Sequence, residues 1–577
     1  MARDPWGEVL AVAESLRARA LLSVNLPPIS VPWEEPDEAL GDLAFGCFVY
    51  GQRMHQPPDA IAARLAPAIP KGRFLSSATA TGGYVNLKAD RVALMSETLR
   101  ALQETGESYG AGEPRKDRVL LEHTSVNPTG PIHVGRARNP IIGDSLARIL
   151  RKAGFSPTTE YLVNDVGRQM VLLYWGVTHL TPSDVSPSDA TKEDHALLPY
   201  YVKANELAEK DPRVNQEVEA LIRRFEGGDA DLTRAISGVS RRVLSGILET
   251  LDRIHVAFDG FFWESDLILQ GKVGPVIARL KALSEVRKEG GAYYIDMAPF
   301  GVKGRDTKWF LTKKDGTSLY PTRDIAYHLD KFRRCDIAVN VLGENHRLEF
   351  QQLSVALKLL GERQPEALFY SYVVLPEGGM ATRRGRIVAM DDLIDEAIAR
   401  ALAEVEKRRP ELSKDKMHEI AETVGISALR YNIVRVQPEK KITFRWEEAL
   451  NFEGNSGPFL QYAHARTCGI LDKAGPRDPR APAVDPALLS HPEEGRLAKL
   501  LAKFPYTVRR AAEGRRPHEL ATYAYEVAAQ FNRFYRDCPV LTAEPRLRAA
   551  RLSLVDGTRI VLRSGLECLG LLAPREM

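Results

Sequence analysis

His133 and Gly135, one residue apart, could between them hold a polyphosphate. An imidazole beside backbone N–H groups at a helix start can bind phosphate oxygens and follow charge as it builds on phosphorus. With 12 His and 43 Gly in 577 residues, such a triplet arises about once by chance, so its surroundings carry the weight. Val119, Leu120 and Leu121 give a short buried-strand signal, and Asn127-Pro128-Thr129-Gly130-Pro131 gives a turn. Ile141, Ile142, Leu146, Ile149 and Leu150 then recur at the spacing of one helix face, with Gly154 as a stop. Strand, polar loop and helix in that order present a helix N-terminus to an anionic ligand. The bland alternative is a helix-capping loop with a structural His133.

Other residues could complete such a site. Gly378-Gly379-Met380-Ala381-Thr382-Arg383-Arg384-Gly385-Arg386 sets three Arg within four residues beside glycines, a cationic flap suited to triphosphate; an exposed basic turn is the alternative. Tyr320 and Asp324 are four apart, hence on one face if helical, where a carboxylate beside a phenol could receive a guanidinium or ammonium group. Glu122 and Asn127 could add polar contacts. An internal ion pair of Asp324 with Arg323 is the competing reading, and His346, after a strand candidate, could be structural. Near the C-terminus, Phe459, Tyr462, His464 and Arg466, then Phe531, Arg533, Phe534, Tyr535 and Arg536, interleave aromatic rings and cations. Helices of that kind can stack unpaired bases and bind phosphate, and a helical core with a few surface Arg fits equally.

The elements that must position these residues fall into three parts. A chain of 577 residues exceeds one hydrophobic core. Residues 1–113 suggest a small α+β domain. Val9, Leu10, Val12, Leu16, Leu21 and Leu22 predict a first helix, broken by the Pro-rich stretch Pro27 to Pro36. Gly83–Leu87 predicts a strand, Asp90–Thr105 a helix, and Tyr109-Gly110-Ala111-Gly112-Glu113-Pro114 a linker. Residues 114–413 alternate strand and helix, as a parallel sheet requires, with strands at Val119–Leu121, Thr159–Val163, Ile337–Leu342 and Tyr370–Leu375. A long, mostly helical insertion at about 175–282 splits the sheet-forming segments, and a helix with an acidic start covers Asp391–Arg408. Residues 414–577 read as helical except at Ile442–Trp446.

Composition narrows the class. Lys and Arg number 79 against 76 Asp and Glu, which excludes a uniformly basic nucleic-acid binder but permits a local basic face. From Leu501 to Met577 there are 13 Lys and Arg against 8 Asp and Glu, such a bias, although a solvated helix face would show it too. Five scattered cysteines (Cys47, Cys335, Cys468, Cys538, Cys568) form no CxxC pair, so neither a zinc site nor a disulfide framework is expected. No apolar run approaches the ~20 residues that cross a bilayer, and the N-terminus carries no cleavage signal, so a cytoplasmic enzyme is expected.

These pieces converge on a resemblance that runs the length of the chain. The sequence resembles the arginyl-tRNA synthetases, a family of class I aminoacyl-tRNA synthetases. HVGR looks like the HIGH signature and GGMATRRGRIVAMDDL like the family's form of the KMSKS loop. More specific are EHTSVNPTGPIHVGRARN, YLVNDVGRQM, DGTSLYPTRDIAYHLDKF, LNFEGNSGPFLQYAHAR, FNRFYRDC and LECLGLLAPREM. The resemblance implies a small α+β N-terminal domain for the tRNA elbow, with Tyr84 and Asn86 as contacts. It implies a split Rossmann (HUP-type) catalytic domain and an all-helical, DALR-type anticodon-binding domain using Phe459, Tyr462, Arg466, Arg533 and Tyr535.

It further implies that ATP, with Mg²⁺, activates L-arginine to the adenylate, and that the arginyl group then moves to the 3′ end of tRNA(Arg). His133, Gly135, Arg136, Met380, Ala381, Thr382, Arg383 and Arg384 would serve ATP and the reaction. Glu122, Ser125, Asn127, Tyr320, Asp324 and His346 would hold arginine. A monomer is expected. Three departures stand out: Arg136 replaces the second His of HIGH, the 378–386 loop has no Lys (with Gly130 where some relatives carry a substitute cation), and His346 sits where some members have Gln. The rival readings are another class I synthetase, a non-enzymatic tRNA-binding paralogue, and a small nucleotidylyltransferase, which would leave the helical C-terminal third unexplained.

Overall fold

The computed structural model describes residues 3–187, 190–303, 307–374, 388–476 and 484–577, together with the backbone of 382–383 and 386–387. Helix α1 (Pro5–Ser23) opens the chain, and strands β1 (Leu43–Gly46), β2 (Leu75–Thr81) and β3 (Tyr84–Ala89) form an antiparallel sheet in the order β1-β3-β2. Helix α2 (Arg91–Thr105) starts from Asp90, whose side chain accepts from Ala93 N. The segment expected to be a linker is instead docked. Tyr109 is fully buried, donates to the Leu501 carbonyl at 3.0 Å and lies 6.1 Å from the Phe504 ring.

The middle of the chain builds a five-stranded, all-parallel sheet from β4 (Arg118–Glu122), β5 (Ser156–Val163), β6 (Gly260–Trp263), β10 (Ile337–Gly343) and β11 (Glu366–Tyr370). The antiparallel trio β7 (Val286–Glu289), β8 (Ala292–Asp296) and β9 (Lys308–Phe310) lies between β6 and β10 in the chain. The sheet order β11-β10-β4-β5-β6 is doubly wound: the winding reverses between β4 and β10, where a crevice opens at the strands' carboxyl ends. Two expectations change here. The last strand ends at Tyr370 rather than beginning there, because Ser371 N turns away to the Pro438 carbonyl at 2.9 Å. The insertion is mostly helical, as expected, in α4 (Arg168–His179), α5 (Glu193–Lys210), α6 (Pro212–Glu226), α7 (Ala230–Arg253) and the short helices Glu264–Leu269 and Val273–Lys281, but β6 also lies inside it and forms the sheet's edge. Four residues, Gly-Phe-Phe-Trp, are too short to show an alternating pattern.

Helix α3 (Arg138–Lys152) connects β4 to β5, and the apolar positions expected for it are all buried. It is also buried on its polar side. Beyond α8 (Tyr320–Arg334) and α9 (Met390–Arg408), the helices α10 (Lys414–Val434), α11 (Gly457–Ala474), α12 (Pro492–Glu513), α13 (Pro517–Asp537) and α14 (Pro545–Cys568) complete the chain, and α3 packs on α10, α12 and α14. Arg138 is fully buried among five carbonyl groups: Ser371, Pro438 and Lys440 at 2.7–2.9 Å from one nitrogen, Val436 and Gln437 at 3.1–3.2 Å from the other. Burial pulls its pKa down to about 10, so the carbonyl dipoles stand in for a carboxylate. A short strand pair, β12 (Val373–Val374) with β13 (Ile442–Thr443), adds a second tie between the sheet region and the helices. The N-terminal unit leans on α12 through Lys499–Asp42, Lys503–Glu35 and Arg509–Asp4 pairs at 2.5–2.6 Å. Among the described residues, no helix is long and apolar enough to cross a membrane.

Candidate active site

At the β4/β10 crevice lies a cavity of about 370 Å³, within the usual range for small-molecule sites. Its wall includes Glu122 at the end of β4, Ser125 and Asn127 from the following loop, Arg136, Tyr320 and Asp324 on α8, and His346 after β10. Seven residues singled out from sequence, on four separate segments, thus converge. Tyr320 and Asp324 fall one turn apart on α8, as their spacing predicts; Tyr320 is 58% exposed. The competing Asp324–Arg323 ion pair does not form. Arg323 Nε instead meets Glu264 Oε1 at 2.5 Å, and Asp324 Oδ1 lies 3.1 Å from His328 Nδ1. His346 is exposed, 3.7 Å from Glu349.

The loop after β4 is held in an uncommon backbone shape. Thr124 and Ser125 both have positive φ, 70° and 42°, which is costly for a β-branched threonine and is found where surrounding structure over-determines the chain. Asn139 on α3 is the clamp. Its side-chain oxygen accepts from Thr124 N at 2.7 Å while its nitrogen donates to the Val341 carbonyl at 3.0 Å. Ser125 Oγ donates to Glu122 Oε1 at 3.1 Å and accepts from Leu162 N at 3.1 Å. Asn127 donates to Gln169 at 2.9 Å. Asn139 ends the quoted stretch EHTSVNPTGPIHVGRARN, directly before the apolar run of α3.

His133 and Gly135 stand beside this cavity rather than in its wall. The chain makes a one-turn 3₁₀ helix, Val134–Arg136, before α3, and His133 caps it: Nδ1 accepts from Gly135 N at 3.0 Å. Capping and ligand binding are therefore compatible, because the cap puts the ring proton on Nε2, the nitrogen able to donate to a phosphate oxygen. The amide groups expected at the start of α3 belong instead to this turn, since Arg138 and Asn139 are buried. Val134 N donates to the Val388 carbonyl at 3.1 Å and Met390 N to the Ile132 carbonyl at 2.7 Å, so the chain leaving the Arg-rich loop is bound directly to the His133 turn. Met380, Ala381 and Arg384 lie outside the described residues; Thr382 and Arg383 are described by backbone only, paired with Ile387 and Arg386.

The insertion anchors that same junction. Asp391, in the first turn of α9, accepts from Lys192 Nζ at 2.7 Å, His195 Nε2 at 3.0 Å, Thr250 Oγ1 at 3.0 Å and Arg253 at 3.2 Å. Burial opposes its charge, yet His195 and Lys192 outweigh it and hold the carboxyl far below the ordinary range. Asp194, His195 and Asp391 bring three ligand-type atoms within 4.8 Å, but the Lys192 ammonium already bridges both carboxylates. In a larger groove of about 490 Å³ between α3 and α14, both arginines are matched, Arg148 by Asp144 and Arg151 by Asp259.

Of the residues expected to meet RNA, Asn86 is corrected: at 2% exposure it faces the interior, the centre strand pairing it on both sides. Phe459, 9% exposed, belongs to the helical core. Tyr462 and Tyr535 are 43% and 44% exposed and share the Arg466 guanidinium, 4.6 and 5.3 Å above their rings, with Arg533 exposed nearby on α13. Tyr84 is half-buried against Phe48 at 5.2 Å.

Comparison with known proteins agrees along the whole chain. Three family models match: "Arginyl tRNA synthetase N terminal domain" over residues 11–89, "tRNA synthetases class I (R), catalytic domain" over 98–446, and "DALR anticodon binding domain" over 460–577. An arginine–tRNA ligase of Methanocella arvoryzae is 43% identical over 92% of both chains, and that of Methanothermobacter thermautotrophicus is 41% identical over 96% of this chain and 97% of its own. The solved arginyl-tRNA synthetase of Thermus thermophilus superposes with a TM-score of 0.83 at 30% identity, covering 98% of this chain and 99% of that one. With a doubly wound catalytic sheet, an N-terminal α+β unit and a helical C-terminal unit in register with all three family models, this chain belongs to the arginyl-tRNA synthetases, ATP-dependent class I ligases that join arginine to tRNA.

Proposed function

We propose that the β4/β10 cavity holds arginine, and that ATP lies between the His133 turn and the Arg-rich loop. What supports this is the convergence of Glu122, Ser125, Asn127, Tyr320, Asp324 and His346 on one cavity beside His133. The arginine carboxylate oxygen attacks the α-phosphorus of ATP, the bond to the β-phosphate oxygen breaks, and arginyl-adenylate and diphosphate form. The terminal ribose hydroxyl of tRNA then takes the arginyl group and AMP leaves. No bond to the enzyme is needed, so positioning and charge stabilisation carry the rate. His133 Nε2–H and Arg136 follow charge at the α-phosphate, and Arg383 and Arg384 take the place of the missing lysines while Met380, Ala381 and Thr382 border the nucleotide. Mg²⁺ enters with ATP.

We assign the N-terminal unit 1–113 to the tRNA elbow, with Tyr84 at its surface. The helical unit 414–577 is assigned to the anticodon loop through Tyr462, Arg466, Arg533 and Tyr535. The enzyme acts as a cytoplasmic monomer. Charging assays with ATP, unfractionated tRNA and single amino acids test the reading: arginine alone should be charged, and charging by another amino acid instead would sink it. Arg383→Ala should slow adenylate formation about tenfold, the scale of one lost charge-assisted contact, and leave tRNA affinity unchanged. Unaltered activation kinetics would remove that residue from the reaction.

A further inference from the structure

Lys331 is fully buried on α8, and its ammonium contacts the Glu122 carboxylate, Asn340 Oδ1 at 2.6 Å and the Tyr327 ring face at 4.1 Å. An ammonium can only donate. Asn340 must therefore turn its amide oxygen toward Lys331 and its NH₂ toward His328 Nε2, 3.1 Å away. That NH₂ also can only donate, so Nε2 is bare and the ring proton sits on Nδ1. Nδ1–H then faces two oxygens of the residue one turn back, the Asp324 carbonyl at 2.9 Å and Asp324 Oδ1 at 3.1 Å. His328 and Asn340 are 3% and 2% exposed, so solvent does not compete for these bonds.

Each bond in the series Glu122–Lys331–Asn340–His328–Asp324 has a direction forced by the one before it. Glu122, Asn340, His328 and Asp324 belong to the cavity wall, and Lys331 lies behind them on the inner side of α8. The series joins a carboxylate from β4 to one on α8, and both face the cavity. Free to turn, the Asp324 side chain, 39% exposed, would meet a planar guanidinium at no fixed angle. Tied at one oxygen, it presents the rest of its carboxylate in one orientation, as a forked guanidinium requires and a point-charge ammonium does not.

We propose that His328, locked as its Nδ1–H tautomer by Asn340 and Lys331, is a positioning residue for arginine recognition that orients the Asp324 carboxylate toward the substrate guanidinium. The inference rests on the assignment of Asp324 to the arginine site. Burial works against the Asp324 charge, but His328, Lys331 and His346 outweigh it and keep its carboxyl below the ordinary range.

The test compares two amides of different reach in the full-length enzyme with tRNA present. The side-chain nitrogen of His328→Asn can take the Nδ1 position, whereas that of His328→Gln extends to the Nε2 position. In ATP–pyrophosphate exchange, His328→Asn should keep the arginine KM within about threefold of the parent and His328→Gln should raise it about tenfold, with the ATP KM unchanged in both. Equal effects of the two variants, or arginine and ATP KM rising together, overturn the proposal. Asp324→Asn separates the two levels. If it leaves the arginine KM unaltered, the arginine site itself is misassigned; if it raises that KM while His328→Gln does not, only the role of His328 falls. The ¹⁵N spectrum of histidine-labelled parent enzyme, with His328 identified by its loss in a variant, adds a readout of the tautomer. A proton on Nδ1 supports the proposal, and a proton on Nε2 overturns it even if one variant folds poorly.

Discussion

Asp324→Asn is expected to raise the arginine KM about a hundredfold while leaving the ATP KM near its parent value. Four carboxylates line the cavity: Glu122 is paired with the Lys331 ammonium, Glu264 with the Arg323 guanidinium, and Glu349 lies 3.7 Å from the His346 ring. Asp324 is tied only to a histidine ring N–H among the described residues, and its charge is available to a ligand. Exchanging it for a neutral amide removes one charge-assisted interaction with the guanidinium and adds NH₂ donors facing donors. Losses of about 2–5 kcal/mol are usual for one partner of a buried charge pair, and a hundredfold corresponds to about 2.7 kcal/mol. Arginine-dependent exchange, measured at saturating ATP, reads the effect. A change below about threefold would place the guanidinium against another part of the wall.

Arg430→Met should cost about 3–5 kcal/mol of stability, the scale for leaving one partner of a buried ion pair behind. Arg430 is fully buried on α10. It donates to Asp144 Oδ2 on α3 at 2.5 Å, to the Leu569 carbonyl at 3.0 and 3.3 Å, and to the Ile254 carbonyl. One guanidinium therefore joins the helix behind the His133 turn, the turn after α7 in the insertion and the C-terminal tail. Methionine fills similar volume but leaves those acceptors empty. Burial raises the cost of the Asp144 charge, and Arg430 and Arg148 outweigh it, so its carboxyl titrates below the ordinary range. With its folded pKa depressed, Asp144 contributes stability above the ordinary carboxylate range and loses it as pH falls through the depressed value. In the variant the Asp144 pKa rises toward or past its unfolded value, so this acid-dependent loss should shrink or reverse. Thermal and urea midpoints measure the loss, and the double variant Asp144→Leu with Arg430→Met should recover part of it, because no fully buried unpaired charge then remains, Arg148 being partly exposed. A single variant as stable as the parent would show that the pair is not what joins these segments. Gly570 belongs to the same arrangement: its φ of +72° lets the tail turn, and a Cβ there would lie 1.8 Å from the Arg430 guanidinium.

How much of the site was readable beforehand follows from where each cue resides. The strand, turn and helix around His133 are encoded within one stretch, and Tyr320 and Asp324 share a face because four residues make one helical turn. Such short-range patterns survive folding. Burial was harder to read. Asn86 lies on a strand whose alternating residues suggest an exposed face, yet Asn86 is buried between its strand neighbours Val85 and Leu87 while Lys88 alone stays exposed. Phe459 sits among aromatics and cations, but helix rotation turns it inward and leaves Tyr462 outside.

By itself, the sequence determined the class of chemistry, the two loops that could serve ATP and the helix face that could receive a cation, since each depends on residue types within a few positions. The tertiary structure alone decided how the charges pair. Arg323 could have matched its neighbour Asp324, but the fold sends it to Glu264 and gives Glu122 to Lys331, 209 residues away. It also decided that a four-residue strand edges the sheet and that the insertion grips Asp391 at the foot of the Arg-rich loop. The reason is physical. A buried carboxylate must find a partner wherever packing brings one, and the carboxylate left without a full partner is the one the substrate can use.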